Sequence, residues 1–135
     1  MADLPAAVTD THPLILHAAG SGALGRRAGR LFDAAERQQA LVYVPAAVVW
    51  EVSLLARAGR VALRRSVRAF FADLFSNPAY QPLALGPDHV YAADELRFTR
   101  DPFDALIVAA ALSLDMPLVT RDAAIREAGV VRIIW

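Results

Sequence analysis

Four acidic side chains in this sequence have the chemistry of a divalent-cation site: Asp10, Glu51, Asp104 and Asp122. Clustered carboxylates raise one another's pKa, because the charge on one opposes the ionisation of the next. Mg²⁺ or Mn²⁺ reverses that cost, since hard cations prefer oxygen ligands. An ion held in this way polarises a phosphoryl oxygen and activates water. If the fold brings the four acids together, they predict metal-dependent hydrolysis of phosphodiester bonds.

Glu51 is the least expected of the four, because it lies in the middle of an apolar helical stretch, "VVWEVSLLARAG" at 48–59. A buried charge without a partner is costly, so it normally acquires a partner, shifts its pKa or binds a metal. The residues three and four positions away, its neighbours on a helix, are Ala47, Val48, Leu54 and Leu55. None of them offers a charge or a hydrogen bond, so the partner of Glu51 must come from another segment.

Apolar runs that favour strands alternate with segments that carry one apolar helical face. Strands are predicted at 6–9, 41–44, 81–85, 117–120 and 130–134, and helices at 23–39, 45–59, 62–75, 88–98, 102–115 and 123–128. This alternation predicts an α/β fold with a central, mostly parallel sheet flanked by helices on both faces. The length and apolar content favour one domain over 1–135.

The predicted elements bring the four acids to one edge of this sheet. Asp10 follows the first strand and Asp122 follows the strand at 117–120, so both belong at the carboxyl ends, where open parallel sheets bind ligands. Glu51 lies in the helix that leaves this edge after 41–44. Asp104 lies in the first turn of the helix at 102–115. Asp101, just before that helix, is interpreted mainly as its N-cap.

Composition narrows the function classes. The 135 residues are 56% hydrophobic and include no cysteine, which agrees with a cytoplasmic protein and excludes thiol chemistry. No apolar run approaches the length of a membrane span, and no secretory signal is visible. The 14 basic residues balance 14 acidic ones and all are arginine, which argues against a simple basic nucleic-acid binder and excludes a lysine nucleophile.

The stretches "VTDTHPLIL", "VVWEVSLLARAGRVAL" and "TRDPFDALIVAAALSLDMPLVTRD" and their spacing resemble a PIN-domain nuclease, specifically a VapC-type toxin of a toxin-antitoxin pair. The resemblance implies a single PIN-like domain and a Mg²⁺- or Mn²⁺-dependent endoribonuclease that cuts RNA. It also implies a homodimer restrained by a small antitoxin protein. It places the catalytic, metal-binding acids at the four positions above. Thr11 and Thr120 match small hydroxyl residues that steady the site.

Two alternatives come from other classes of protein. A phosphoacceptor receiver domain also gathers aspartates at strand ends, but it needs a lysine, and this chain has none. A PIN-fold binding protein without cleavage activity would be expected to lack some of the four acids. The arginines from Arg57 to Arg68 are interpreted as a solvated helix face or as contacts to RNA phosphates. His12 is interpreted as structural rather than as a ligand or base.

The apolar excess, with a mean hydropathy of +0.36, predicts exposed apolar surface for partners. We expect a homodimer and a separate apolar groove that accepts an amphipathic helix of the antitoxin.

Overall fold

A computed structural model of the protein describes residues 3–135 and shows a five-stranded sheet flanked by helices. The strands are β1 (Ala6–Thr9), β2 (Leu41–Pro45), β3 (Tyr80–Leu83), β4 (Leu118–Val119) and β5 (Ile133–Ile134). The helices are α1 (Thr11–Ala18), α2 (Arg26–Glu36), α3 (Ala46–Arg57), α4 (Val67–Phe75), α5 (Pro87–Asp94), α6 (Pro102–Ser113) and α7 (Ala123–Ala128). The predicted α/β class is confirmed. Within residues 3–135, no helix is both long and apolar enough to cross a membrane.

The strand order is β3-β2-β1-β4-β5, and every pair of neighbouring strands is parallel. From β1 the chain builds the sheet outward through β2 and β3, then crosses back to β4 on the other side of β1. The strand order therefore reverses between β1 and β4. In open parallel sheets, the crevice beyond the carboxyl ends at such a reversal is the usual ligand-binding place.

The core is built where α6 packs on the central strand, β1. The buried residues of α6 run from Ile107 to Ala111, and three of these five are alanines. Small side chains let the helix approach the sheet closely, and α6 contacts β1, α3 and α5. Val8 on β1 and Val48 on α3 are also completely buried. The helix that carries Asp104 is therefore fixed by packing along most of its length.

Helix α1 was not predicted from the sequence. Its eight residues include Pro13 and two histidines, and its apolar face is poorly marked. The helix forms because Asp10 caps it, its side chain accepting a hydrogen bond from the Thr11 N–H, and because Thr11 and Leu14 are buried. Pro13 is tolerated because it lies in the first turn, where backbone N–H groups have no helical partner.

Several element boundaries also differ from the prediction. Helix α4 starts at Val67 instead of 62, because the Ser66 side chain accepts a hydrogen bond from the Ala69 N–H and caps the helix there. Strand β3 ends at Leu83 and β5 consists of two residues only. These differences lie away from the carboxyl ends of β1 and β4 and do not move the predicted acids.

The start of α2 is capped by a distant part of the chain. Its N-cap is Gly25, which has no side chain to offer, and the Trp135 carbonyl accepts a hydrogen bond from the Arg27 N–H at 2.9 Å. A Cβ atom at Gly25 would lie 2.5 Å from the Trp135 carbonyl carbon and 2.7 Å from its indole ring. The absence of a side chain at Gly25 thus allows β5 and its extension to pack on α2.

Gly25→Ala is expected to destabilise the protein by about 1 to 3 kcal/mol, because the added methyl group forces Trp135 away from α2. The φ angle of Gly25, −61°, is open to alanine, so the cost is steric alone. Denaturant unfolding measures the effect. Gly22→Ala is the matched control, because a Cβ there meets no atom within 4 Å. Equal stabilities of the two variants would contradict this account of the contact.

Candidate active site

A pocket of about 340 Å³ opens at the carboxyl ends of β1 and β4, where the strand order reverses. It is lined by Asp10, His12, Glu51, Asp101, Asp104, Arg121 and Asp122. The structure therefore brings all four predicted acids to one place, together with a fifth carboxylate, that of Asp101. Five acids from four separate segments define a strongly negative site.

Asp10 is the most rigidly held of these acids. It follows β1 directly and is 6% exposed. Its Oδ1 accepts a hydrogen bond from the Thr11 N–H at 2.8 Å, and its Oδ2 accepts one from the Thr120 hydroxyl at 2.7 Å. Burial raises the pKa of Asp10 despite these two hydrogen bonds, which act in the opposite direction. Each carboxylate oxygen is thus oriented by a different element.

Glu51 has a hydrogen-bond partner that its own helix could not supply. The Thr11 hydroxyl, from the start of α1, donates to its Oε1. Burial raises the pKa of Glu51, and the charges of Asp10 and Asp101 raise it further, whereas the Thr11 hydrogen bond lowers it. The partner is therefore a neutral hydroxyl. Thr11 links Asp10 through its backbone and Glu51 through its side chain, so one residue orients two acids.

Asp104 is affected both by burial and by the charges of the other acids. It lies in the first turn of α6 and is partly exposed to the pocket. Burial, followed by the charges of Asp101, Asp10, Asp122 and Glu51, raises its pKa to about 7. The negative charges of the other four carboxylates therefore add to the effect of burial at Asp104.

Asp122 is positioned by hydrogen bonds from its side chain and from its backbone. It caps α7, with its Oδ1 accepting from the Ile125 N–H at 2.9 Å, and its own N–H donates to the Thr120 hydroxyl at 3.1 Å. Thr120 is fully buried. The Thr120 hydroxyl therefore connects Asp10 at the end of β1 to Asp122 beyond the end of β4.

Asp101 is the N-cap of α6, as predicted, because its Oδ1 accepts hydrogen bonds from the Phe103 N–H at 2.8 Å and the Asp104 N–H at 3.2 Å. Its place in the pocket was not predicted. The negative charge of Asp101 raises the pKa of both Glu51 and Asp104. The sequence carried a sign of this, since a cap three residues before an inward-facing acid lies at the same edge of the sheet.

The three histidines differ in place. His12 is exposed at the pocket. His17 lies elsewhere, stacked on the Phe32 ring at 4.6 Å between centroids and 3.2 Å from the Tyr80 hydroxyl. His89 is 2.9 Å from the Ser113 hydroxyl. The latter two therefore have structural partners outside the site.

The pocket offers the donors that Mg²⁺ or Mn²⁺ requires, since its carboxylate oxygens are in excess and it contains no thiolate. Burial, followed by repulsion among the acids, raises the pKa of Asp104. In the described part of the chain, no three carboxylate or imidazole groups are already arranged to ligate one ion. Shared ligation would thus require side-chain rotation. Glu51 and Asp104 are only partly buried and border open pocket volume, which gives them room to rotate.

The raised pKa of Asp104 predicts how stability depends on pH without metal. The unfolded chain releases this proton near the ordinary value of 3.8, whereas the folded protein keeps it until about 7. Between these values the folded state binds more protons, so stability falls as pH rises. Asp10 and Glu51 act in the same direction.

In EDTA, the melting temperature is therefore expected to fall from about pH 4 to about pH 7, by several degrees, and Asp104→Asn should flatten this fall. Calorimetric melts across this range measure it. A melting temperature of the parent that rises steadily over the same interval would contradict the raised pKa values.

Comparison with solved structures shows the same fold in chains of two known assemblies. A chain of a toxin-antitoxin complex from Klebsiella pneumoniae is 19% identical, with a TM-score of 0.63 over 96% of each chain. A chain of VapBC2 from Rickettsia felis, bound to a DNA fragment from its promoter, is 12% identical, with a TM-score of 0.66 over 95% of this chain and 96% of that one. At these identities, the likeness is one of fold.

A search of curated proteins finds no match. A family model described as the PIN domain, by contrast, matches residues 7–131, from the first strand almost to the last. The matched region includes every acid of the pocket. The chain belongs to the PIN domain family.

Proposed function

We propose that this protein is a Mg²⁺- or Mn²⁺-dependent endoribonuclease, the cytoplasmic toxin of a type II toxin-antitoxin pair. The observation that carries the proposal is the convergence of five carboxylates in one open pocket at the reversal of strand order. Membership of the PIN domain family supports nuclease chemistry. The two toxin-antitoxin complexes of the same fold support the toxin role.

The proposed metal-binding acids are Asp10, Glu51, Asp104 and Asp122. When bound, Mg²⁺ or Mn²⁺ lowers the pKa of water and offsets negative charge on the phosphoryl oxygens. Asp10 enters the reaction already oriented by the Thr11 backbone and the Thr120 hydroxyl. The Thr11 hydroxyl holds one oxygen of Glu51 and leaves the other free. The two threonines are thus positioning residues, acting through the acids.

Asp104 has a different part in the proposed mechanism. With a pKa of about 7 it carries a proton in much of the apo protein near neutral pH. It must release this proton when a cation binds, so cation binding should strengthen as pH rises. Its place in the first turn of α6 also directs the helix dipole toward the negative pocket, which favours the ionised form.

The alternative is a PIN-fold protein that binds a partner without cleaving RNA. Such a protein has no use for a pocket of mutually repelling acids. The raised pKa values of Asp10, Glu51 and Asp104 each lower the stability of the apo protein at neutral pH, because the unfolded chain ionises these groups more readily. A cluster that lowers the stability of the apo protein therefore favours the nuclease over the non-cleaving binding protein.

The test is to incubate purified protein, freed of any antitoxin, with total RNA and Mn²⁺ and to map the product ends. A cation held by these acids would supply activated water as the nucleophile in place of the 2′-hydroxyl, so the products should not carry a 2′,3′-cyclic phosphate. EDTA should stop the reaction. Intact RNA under all metal conditions, or cyclic phosphate ends formed in EDTA, would refute the proposal.

Two exposed apolar surfaces are candidates for binding the proposed antitoxin and a second copy of the chain. A cleft of about 570 Å³ beside α3 is lined largely by apolar residues, including Val49, Trp50 and Leu83. Trp50 is 49% exposed there. We propose that this cleft accepts an amphipathic helix of the antitoxin. The exposed face of α5, with Tyr91 66% exposed beside Val90, is proposed as the homodimer contact.

Light scattering at micromolar concentration is expected to show a dimer. Tyr91→Asp should shift it toward monomer, because the charge would have to be buried in the contact. Ala23→Asp introduces the same charge at an exposed position outside α5 and should leave the dimer unchanged. A monodisperse monomer of the parent protein would count against the proposed homodimer.

A further inference from the structure

The pocket contains one side chain with a permanent positive charge. Of the described residues that line it, five are carboxylates, one is His12 and one is Arg121. Arg121 is exposed and lies between Thr120 and Asp122. Both neighbours are fixed: the Thr120 N–H donates to the Ile134 carbonyl at 3.3 Å, and the Asp122 N–H donates to the Thr120 hydroxyl. The backbone that carries Arg121 is therefore anchored at the edge of the site.

Arg121 is not used to neutralise the acids. Across residues 3–135, no ion pair within 4.0 Å joins Arg121 to an acid, although it shares the pocket with five of them. Its guanidinium, with five N–H donors, is thus available for a ligand. Two other arginines, by contrast, have side-chain partners: Arg65 pairs with Asp73 at 3.3 Å, and Arg57 lies over the Trp50 ring, 5.1 Å from its centroid.

An RNA backbone entering this pocket meets an electrostatic barrier. Each phosphate is negative, and the carboxylates repel it. A cation among the acids offsets the charge of the phosphate being cut, but the neighbouring phosphates lie outside its immediate reach. Protein groups that bind such phosphates are normally arginine or lysine, and this chain has no lysine. A guanidinium also fits two phosphate oxygens at once.

We propose that Arg121 binds an RNA phosphate next to the scissile one and so holds the backbone across the acid pocket. The inference rests on the proposed ribonuclease function, because it assigns a substrate contact to the same site. Arg121 contributes to substrate binding, while the acids perform the chemistry. Its loss should therefore weaken RNA binding and raise KM more than it lowers kcat.

The test uses the full chain carrying Asp104→Asn, so that bound RNA is not cut, and a fluorescein-labelled single-stranded RNA of about 20 nucleotides, long enough to cross the site. Fluorescence anisotropy gives the dissociation constant at several salt concentrations. Arg121→Ala is expected to raise it about tenfold and to reduce the slope of log affinity against log salt by about 0.7, the value for one phosphate contact on a single strand.

Arg126→Ala is the matched control. Arg126 is exposed on α7, five residues further on, and it does not line the pocket. The control variant removes the same charge, so a general effect of net charge would appear equally in both variants. Arg121→Lys keeps the charge but loses the two-oxygen fit, so it should keep the salt slope and bind more weakly than the parent.

The inference is overturned if Arg121→Ala binds RNA as the parent does, if Arg126→Ala weakens binding equally, or if the parent does not bind RNA. These results are separable from failure of the proposed function. A wild-type chain that binds RNA through Arg121 but leaves it intact with Mn²⁺ would support this inference and refute the nuclease. If the wild-type chain cleaves RNA while Arg121→Ala binds RNA normally, the nuclease function is supported and the inference about Arg121 is refuted.

Discussion

Asp104→Asn is expected to lower RNA cleavage by a factor of about one hundred to one thousand or more while leaving the fold intact. Asp104 lines the same pocket as Asp10, Glu51 and Asp122, so it is placed to share a cation with them. Asparagine keeps its shape but supplies one neutral oxygen instead of an anion. Because the Asp104 side chain is not a cap of α6, the helix loses no hydrogen bond.

Asp101→Asn is the matched variant three residues away. Its side chain caps α6, and asparagine is about as good a cap as aspartate. We therefore expect activity within a few-fold of the parent and little change in stability. Cleavage assays with Mn²⁺ on both variants measure the difference. Equal losses would show that Asp101 belongs to the cation-binding set and that the separation of cap from ligand is wrong.

The order of stability of Glu51→Gln and the parent protein is expected to reverse when Mn²⁺ is added. In EDTA the variant should be at least as stable as the parent. Glutamine keeps an Oε1 that accepts the Thr11 hydrogen bond, and it removes one of the charges that crowd the pocket. With saturating Mn²⁺ the parent should become the more stable protein, since a ligand that binds the folded state stabilises it according to its affinity.

Thermal melts of both proteins with and without Mn²⁺ measure this reversal. Glu51→Ala serves as the control, because it removes the charge and leaves the buried Thr11 hydroxyl without its partner, so it should be less stable than Glu51→Gln in EDTA. If Glu51→Gln proves several kcal/mol less stable than the parent even in EDTA, Glu51 has a structural role that outweighs its charge cost, and its place among the ligands would be wrong.

The sheet and the meeting of the acids could be predicted from sequence because both depend on local patterns. The strands that precede Asp10 and Asp122 are short apolar runs, and parallel strands align their carboxyl ends whatever lies between them. The Asp101 cap was also readable, because aspartate followed by proline commonly starts a helix.

The details of the site depend on contacts between distant residues, which local patterns do not report. The hydrogen bond from Thr11 to Glu51 joins positions 40 residues apart, and that from Thr120 to Asp10 joins positions 110 apart. Helix α1 was missed because its formation depends on burial of Thr11 and Leu14 rather than on a marked amphipathic pattern. The capping of α2 by Trp135 likewise requires the sheet to be complete.

The central claim is that Asp10, Glu51, Asp104 and Asp122 form one divalent-cation site. Its most direct test is a Mn²⁺ titration followed by the electron paramagnetic resonance signal of free Mn²⁺. The wild-type protein should remove Mn²⁺ from solution saturably, and Asp10→Asn and Asp104→Asn should each weaken binding by about tenfold or more. Asp94→Asn, at an exposed position on α5, should bind as the wild type does. Wild-type protein that binds no Mn²⁺, or that binds it no more tightly than Asp104→Asn, would contradict the claim.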